Sequence, residues 1–168
     1  MMERVSKVRT SDEIDTARAL VWEFFDSMKE RYPDMIDTID DYFAKQDVAG
    51  ELADFAARFL PPRGEAFLAW HEGEAVGLVL LKRHGEGDGE MNRMFVRASA
   101  RGQGLGRALG EALVAEARAR GMGTVWLDAL YRHVEALPLY ESLGFVRYTN
   151  TDAFHGSDAR VIHMKLVL

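Results

Sequence analysis

Three glycines at alternate positions form the stretch of this chain best suited to chemistry, Arg101-Gly-Gln-Gly-Leu-Gly106. A strand-like run precedes them, and an amphipathic helical stretch begins at Leu105. Glycines leave backbone N–H groups uncovered, and a helix start adds unpaired donors and the positive end of the helix dipole. The stretch therefore predicts an anion-binding turn. Its spacing differs from the dinucleotide fingerprint and from the P-loop, so neither of those sites is predicted.

Charged residues are unevenly distributed along this acidic chain, whose formal net charge is −6 at pH 7. Residues 97–120 contain five arginines against two glutamates, and this basic segment includes the glycine turn, which suits an anionic cofactor. Residues 30–54 contain eight acidic residues against two basic ones. This acidic segment either steers a cationic acceptor or forms a solvated helix face. The overall balance argues against nucleic acid as a partner, because duplex binding needs clustered basic residues.

Length and composition predict one soluble domain over residues 1–168, with 48% apolar and 29% charged residues. Apolar stretches fall short of the ~20 residues that cross a membrane, and the N-terminus carries Glu3, Arg4 and Lys7 where a signal peptide is apolar. We therefore expect a cytoplasmic protein with no membrane partner. The absence of cysteine excludes disulfides and a covalent cysteine intermediate. The sequence leaves open whether the chain is a monomer or a homodimer.

Hydrophobic periodicity predicts helices first, then an antiparallel meander, and then a strand-helix-strand crossover. A helix is expected from about residue 11 to 31, because Tyr32-Pro33 ends it. A second helical stretch is expected over residues 35–60, with a break near Gly50. The other predicted elements are strands at residues 5–9, 66–71, 75–81, 90–96, 124–127, 145–148 and 161–166, helices at 105–120 and 134–143, and a loop at 149–158.

Three consecutive parts of the chain together resemble the GCN5-related N-acetyltransferase (GNAT) superfamily. These are the strand Glu90–Val96, the turn Arg101–Gly106 and the ending Ala136–Phe145, which contains Tyr140-x-x-x-Gly-Phe. The close match covers residues 88–148, and the first 60 residues match only in their order of elements. The resemblance implies an α/β fold of the GNAT acyl-CoA N-acyltransferase type, with a twisted mixed sheet flanked by helices.

The same resemblance implies an enzyme that transfers an acetyl group from acetyl-CoA directly to a primary amine of a small molecule or a protein. The glycine turn would hold the pyrophosphate of acetyl-CoA, and the strand before it would align the pantetheine arm. His133 stands where the family often has an asparagine that contacts the cofactor, although a helix N-cap role is equally compatible with its position. The predicted cofactor-binding residues are Met94, Phe95, Val96, Arg101, Gly102, Gln103, Gly104, Leu105, Gly106, Arg107 and His133.

Two catalytic side chains follow from the resemblance. Tyr140 occupies the family position whose hydroxyl faces the cofactor sulfur, and a tyrosine can protonate a departing thiolate. An amine reacts only when neutral, so a base or a water chain must accept its proton. Glu90 is the first candidate for this base, and Asp128, at the end of the next strand, is the second. The alternative for Glu90 is a solvated strand end.

Other chemistries find less support in the residues. The histidines outside the match lack the spacing of metal ligands, so no metal is expected, and no Gly-x-Ser-x-Gly elbow is present. Two further function classes stay open. A non-catalytic acyl-CoA sensor would keep the glycine turn but would not need Tyr140, and a protein-interaction module would use the acidic segment to bind a basic partner.

Overall fold

A computed structural model describes residues 4–130, 136–149 and 161–168, which form a mixed α/β fold around one sheet. Helices, the three-stranded meander and the strand-helix-strand crossover follow one another in the order that the periodicity predicts. The strands are β1 Val5–Lys7, β2 Gly64–His71, β3 Glu74–His84, β4 Asp88–Val96, β5 Thr124–Leu130, β6 Val146–Arg147 and β7 Val161–Val167. The helices are α1 Ser11–Arg31, α2 Ile36–Lys45, α3 Val48–Ala53, α4 Phe55–Phe59, α5 Leu105–Ala119 and α6 Leu137–Ser142.

The first helix begins and ends at residues that favour those boundaries. The Thr10 side chain accepts a hydrogen bond from the Glu13 backbone, and the Glu13 side chain accepts one from the Thr10 backbone. This capping box satisfies two donors that a helix start leaves unpaired. The helix ends before Pro33, as the sequence predicts.

The second helical region is divided differently from the expectation. Gly50 lies inside α3, and the breaks fall at Asp47 and Asp54. Asp47 has a φ of 49°, a left-handed conformation that stops α2 and starts α3. A β-carbon at Gly50 would lie 2.4 Å from an Asp47 carboxylate oxygen. The glycine therefore allows close packing of the Asp47 side chain and does not break the helix.

The seven strands form a single sheet in the order β1-β2-β3-β4-β5-β7-β6. Neighbours are antiparallel except β4 and β5, which are parallel and connected through α5. Those two strands pair only at Gly89 with Val125 and at Glu90 with Trp126. Beyond Glu90 the strands diverge, so among the described residues the second half of β4 has no strand partner on its β5 side.

Two apolar clusters cover opposite faces of the sheet. One cluster packs α5 and α6 against the sheet through residues such as Leu109, Leu113 and Tyr140. The other packs α1–α4 against the opposite face through residues such as Leu20 and Phe55. Within the described ranges, no helix is long and apolar enough to cross a lipid bilayer.

Candidate active site

The glycine turn has the backbone conformation that an anion site requires. Gly102 and Gly104 have φ values of 79° and 76°, in the left-handed region that strains any residue with a β-carbon. Gly104 is the N-cap of α5, and no side chain caps that helix. The first N–H groups of a 15-residue helix are thus left for a ligand at its positive end.

The third glycine of the turn, Gly106, is required for packing and not for its backbone conformation. A β-carbon at Gly106 would lie 3.2 Å from Leu139, so the absence of a side chain allows α5 to pack closely against α6. The alternate spacing therefore combines two conformational requirements with one packing requirement.

A groove of about 590 Å³ runs from this turn along the second half of β4. It is lined by most of the residues predicted to bind the cofactor, namely Met94, Phe95, Val96, Arg101, Gly102, Gly104, Leu105, Gly106 and Arg107. Gln103 does not line it, and its carbonyl instead accepts a hydrogen bond from the Arg4 guanidinium. His133 lies outside the described residues.

Helix α1 supplies a wall of the groove that the sequence did not predict. Phe24, Ser27, Met28 and Arg31 line it. Phe24 and Met28 belong to the apolar stripe of α1, which is the usual pattern of a core-facing helix, and Ser27 and Arg31 flank it. Only the packing of α1 against β3 and β4 turns part of that stripe towards a ligand.

Backbone groups of β4 face this groove. The Arg97 N–H donates to the Val76 carbonyl on the β3 side at 2.8 Å, so the Val96 backbone is directed towards the β5 side. There the Val96 carbonyl accepts a hydrogen bond from the Arg101 side chain at 3.2 Å. An extended amide chain beside β4 would find free strand partners.

A second concavity, a cavity of about 60 Å³, adjoins the groove where β4 and β5 diverge. Tyr140, Asp128, Asn92, Arg93 and Tyr42 supply its polar lining. Three apolar residues, Phe24, Met28 and Met94, line both the groove and the cavity. The two spaces are therefore adjacent, with these three side chains at their boundary.

Tyr140 is 7% exposed and packs its ring against Phe145. Its hydroxyl makes no hydrogen bond within the described part of the chain. Burial, and then the neighbouring Tyr42, raise the pKa of Tyr140 above its ordinary value. The hydroxyl consequently stays protonated at neutral pH and can donate into the cavity.

Asp128 is held by a histidine that the sequence analysis missed. Its carboxylate lies 2.6 Å from Nδ1 of His163, which pairs with it across β5 and β7. An ionised carboxylate only accepts hydrogen bonds, so this nitrogen donates. His163 is 8% exposed, and its other ring nitrogen, Nε2, has no partner among the described residues. No local motif marks this pair, because the two residues are 35 positions apart.

Glu90 lies on the same region of the sheet but outside the lining of the cavity. Its carboxylate is 3.5 Å from Nδ1 of His84, and the hydrogen bond to Glu90 raises the pKa of that histidine. Burial, then Asp128, then Glu90 raise the pKa of Tyr148 to about 12. Both candidate bases thus lie close enough to Tyr148 to raise its pKa, but only Asp128 lines the cavity.

Comparison with known proteins connects this arrangement to one family. Residues 19–145 match the profile described as the Acetyltransferase (GNAT) family. Over 164 residues the chain is 30% identical to an uncharacterized N-acetyltransferase of Schizosaccharomyces pombe, covering 96% of this chain and 93% of that protein. The chain belongs to the GNAT family. The predicted membership of the family and the predicted acetyltransferase activity are confirmed.

Two further GNAT proteins show how far the likeness extends. N-acetylaspartate synthetase of Danio rerio is 33% identical over 106 residues, and the match covers 62% of this chain but 38% of that protein. The chain therefore spans less than half the length of this relative. The PaiA N-acetyltransferase of Thermoplasma acidophilum, solved with coenzyme A, has a TM-score of 0.69 at 14% identity, covering 99% of this chain and 100% of that chain. This likeness confirms the GNAT fold.

The acidic side chains of α2 in this GNAT protein lie apart from both concavities. Asp37, Asp40 and Asp41 belong to α2, yet none of them lines the groove or the cavity. Asp40 pairs with Lys29 at 2.6 Å, and Asp41 pairs with Lys45 at 3.2 Å. The same helix contributes Ile39 and Tyr42 to the cavity. These contacts favour the solvated-face interpretation for the three α2 carboxylates, whereas Glu51 of the same segment is buried.

Proposed function

We propose that this protein transfers an acetyl group from acetyl-CoA, bound in the groove, to a primary amine bound in the cavity. The observation that carries the proposal is the adjacency of the two spaces, whose linings share Phe24, Met28 and Met94. A thioester that extends along the groove would lie close to an amine bound in the cavity. Direct transfer needs this proximity, because it holds both reactants in one orientation.

The groove supports acetyl-CoA as the donor through two kinds of backbone contact. The uncapped start of α5 offers N–H groups and a positive dipole to the pyrophosphate. The free side of β4 offers hydrogen-bonding groups to the amides of the pantetheine arm. GNAT structures bound to coenzyme A, such as the Thermoplasma enzyme, agree with this assignment.

In the proposed reaction the neutral amine attacks the thioester carbonyl carbon, and a C–N bond forms. A backbone N–H near Val96 would steady the resulting oxyanion. The C–S bond then breaks, and the Tyr140 hydroxyl donates its proton to the departing coenzyme A thiolate. The products are the N-acetylated acceptor and coenzyme A.

Asp128 is our candidate for the group that accepts the amine proton, because it lines the cavity together with Tyr140. The hydrogen bond from His163 fixes the orientation of its carboxylate. Glu90 stays a prediction, and in that role it would act through an ordered water from its position beside His84. A carboxylate in either role must be ionised to accept the amine proton.

The presence of Tyr140 in the cavity favours an enzyme over a non-catalytic acyl-CoA sensor, which would need no acid there. The interaction-module alternative loses support, because the acidic segment pairs with neighbouring lysines. The relatives bear names that point to different acceptors, among them aspartate and an alanine of ribosomal protein bS18. The acceptor must therefore be inferred from the cavity of this chain.

Release of coenzyme A thiol, measured against a panel of amines, tests the proposal. We expect Asp128→Asn to lower kcat by about 10²-fold, the usual contribution of a general base, with unchanged affinity for acetyl-CoA. Glu90→Gln, a matched neutralisation on the neighbouring strand, should lower kcat by less. A larger loss in Glu90→Gln would transfer the role to Glu90. Failure of every amine to release thiol would contradict acetyl transfer itself.

A further inference from the structure

Arg93 places a buried positive charge in the cavity. It lies on β4, where two residues, Arg93 and Met94, fall opposite the single residue Val79. Such a bulge changes the direction of a side chain, and Arg93 has a left-handed φ of 59°. Its side chain is 4% exposed and lines the cavity. A left-handed backbone costs free energy at a non-glycine residue. The surrounding structure therefore holds Arg93 in a strained conformation that directs its side chain into the cavity.

The Arg93 guanidinium has few close partners. Within the described chain it contacts the Tyr42 hydroxyl at 3.4 Å and a Glu51 oxygen at 3.6 Å. Charge-assisted hydrogen bonds are normally about 2.7–2.9 Å long, so both contacts are weak. Glu51 instead makes its short contact, 2.7 Å, with Lys82. Since guanidinium carries five N–H donors, the described residues leave donors of Arg93 available for an anion.

Aromatic rings support the cation without satisfying those donors. The guanidinium carbon lies 5.6 Å from the centre of the Phe25 ring and 5.8 Å from that of Tyr42. Ring faces attract a cation, but they accept no conventional hydrogen bond. These rings and the Glu51 contact at 3.6 Å leave the buried guanidinium without a short hydrogen bond to a described residue, and a bound carboxylate would supply two parallel ones.

The cavity also contains the opposite charge. Asp128, on β5, lines it together with Arg93. Burial raises the pKa of Tyr42, while Arg93 lowers it and Asp128 raises it, so both charges act on this one hydroxyl. The cavity volume of about 60 Å³ compares with the roughly 10–15 Å³ that one water needs by the same measure. The space therefore suits a molecule of a few heavy atoms with a charge at each end.

We propose that the acceptor is a small free amino acid, whose carboxylate binds Arg93 while its amine faces Asp128 and the thioester. This inference rests on the proposed acetyl transfer and names the substrate class for it. It replaces a purely cationic acceptor with one that carries an anionic group. A peptide N-terminus has an amide in place of that carboxylate, so Arg93 would disfavour it.

The test compares three forms of each acceptor: the free amino acid, its α-amide and the amine without the carboxylate. Thiol release from acetyl-CoA is measured with each standard amino acid and its two analogues. We expect kcat/KM for at least one free amino acid to exceed that of both analogues by about tenfold to a hundredfold, which is the range of a charge-assisted contact. Arg93→Gln should reduce this ratio to near unity, chiefly through the KM for the amino acid.

Arg93→Lys is the second variant, because it keeps the charge beside Glu51 if Arg93→Gln fails to fold. It should reduce the ratio by an intermediate factor, since an ammonium cannot form the two-pronged contact. A merely structural role for Arg93 would lower kcat/KM equally for all three forms and leave the ratio unchanged. Turnover of amines with no preference for the carboxylate, or with preference for amides, would overturn the inference while acetyl transfer stands. Absence of turnover with every form would instead contradict the proposed function.

Discussion

The groove is lined largely by residues of the continuous segment 94–107, whereas the cavity is lined by residues from separate elements. Asp128 and Tyr140 belong to β5 and α6, and Tyr42 belongs to α2. A backbone site needs glycine at defined positions, so it leaves a local sequence pattern. A site assembled from distant side chains needs no such pattern.

Electrostatic conditions also differ between the groove and the cavity. The glycine turn is exposed, and its ligand would be held by dipoles and N–H groups at the surface. In the cavity Arg93 is buried, and charges there interact more strongly because less water screens them. Substitutions on the cavity side should therefore change reaction rates more than substitutions on the groove side change cofactor affinity.

The largest effect among the variants below is expected from Tyr140→Phe. Phenylalanine keeps the ring contact with Phe145 and removes only the hydroxyl, so the fold should persist. General acids contribute about 10²- to 10⁴-fold, and we expect kcat to fall by at least about tenfold even if water partly substitutes. Affinity for acetyl-CoA, measured by calorimetry, should stay similar.

The pH profile sharpens this prediction. Burial raises the pKa of Tyr140, so the hydroxyl loses its proton only above the ordinary value of about 10. The wild-type enzyme should therefore show no descending limb from this residue below about pH 10. A Tyr140→Phe enzyme with near-normal kcat, under conditions where chemistry limits the rate, would leave Tyr140 as a wall of the cavity only.

The contrast between groove and cavity also explains which parts of the site could be predicted from the sequence. The turn, β4 and the position of Tyr140 were predictable because one continuous stretch contains them. The His163 pair with Asp128 was not, since it depends on the antiparallel register of β7 against β5. Nor was the role of Arg93, because a bulge within β4 reverses the simple alternation that a strand pattern assumes.

A smaller effect is expected on the groove side from Gly104→Val. A β-carbon there would force the left-handed backbone out of shape and obstruct the approach of the pyrophosphate. We expect the Kd for acetyl-CoA to rise by about tenfold, equivalent to about 1.4 kcal/mol. Calorimetry of the folded variant measures this.

Gly121→Val is the matched control for that variant. Gly121 has a similar φ of 72° and lies just past the other end of α5, with no atom within 4 Å of the position of its missing β-carbon. Both substitutions should therefore lower Tm through the same backbone strain, but only Gly104→Val should weaken cofactor binding. Equal affinities in the two variants would remove the glycine turn from the cofactor site.

The smallest effect is expected from neutralising α2 by combining Asp37→Asn, Asp40→Asn and Asp41→Asn. If this segment steered a cationic acceptor, the change would raise the acceptor KM and weaken its dependence on salt. The structure places all three carboxylates outside the cavity lining, and two of them pair with lysines. Exposed pairs of this kind contribute about 0–1 kcal/mol, so the fold should tolerate their loss.

We therefore expect the acceptor KM to change by less than about twofold, at low and at high salt alike, since screening acts only on charges that influence binding. The control combines Asp12→Asn, Glu72→Gln and Glu74→Gln, which alters net charge equally at exposed sites elsewhere. If only the α2 variant raised KM, and did so more at low salt, acceptor recognition would extend beyond the cavity to the helix surface. That result would indicate a longer acceptor, whose positive charge reaches α2, in place of one small zwitterion enclosed in the cavity.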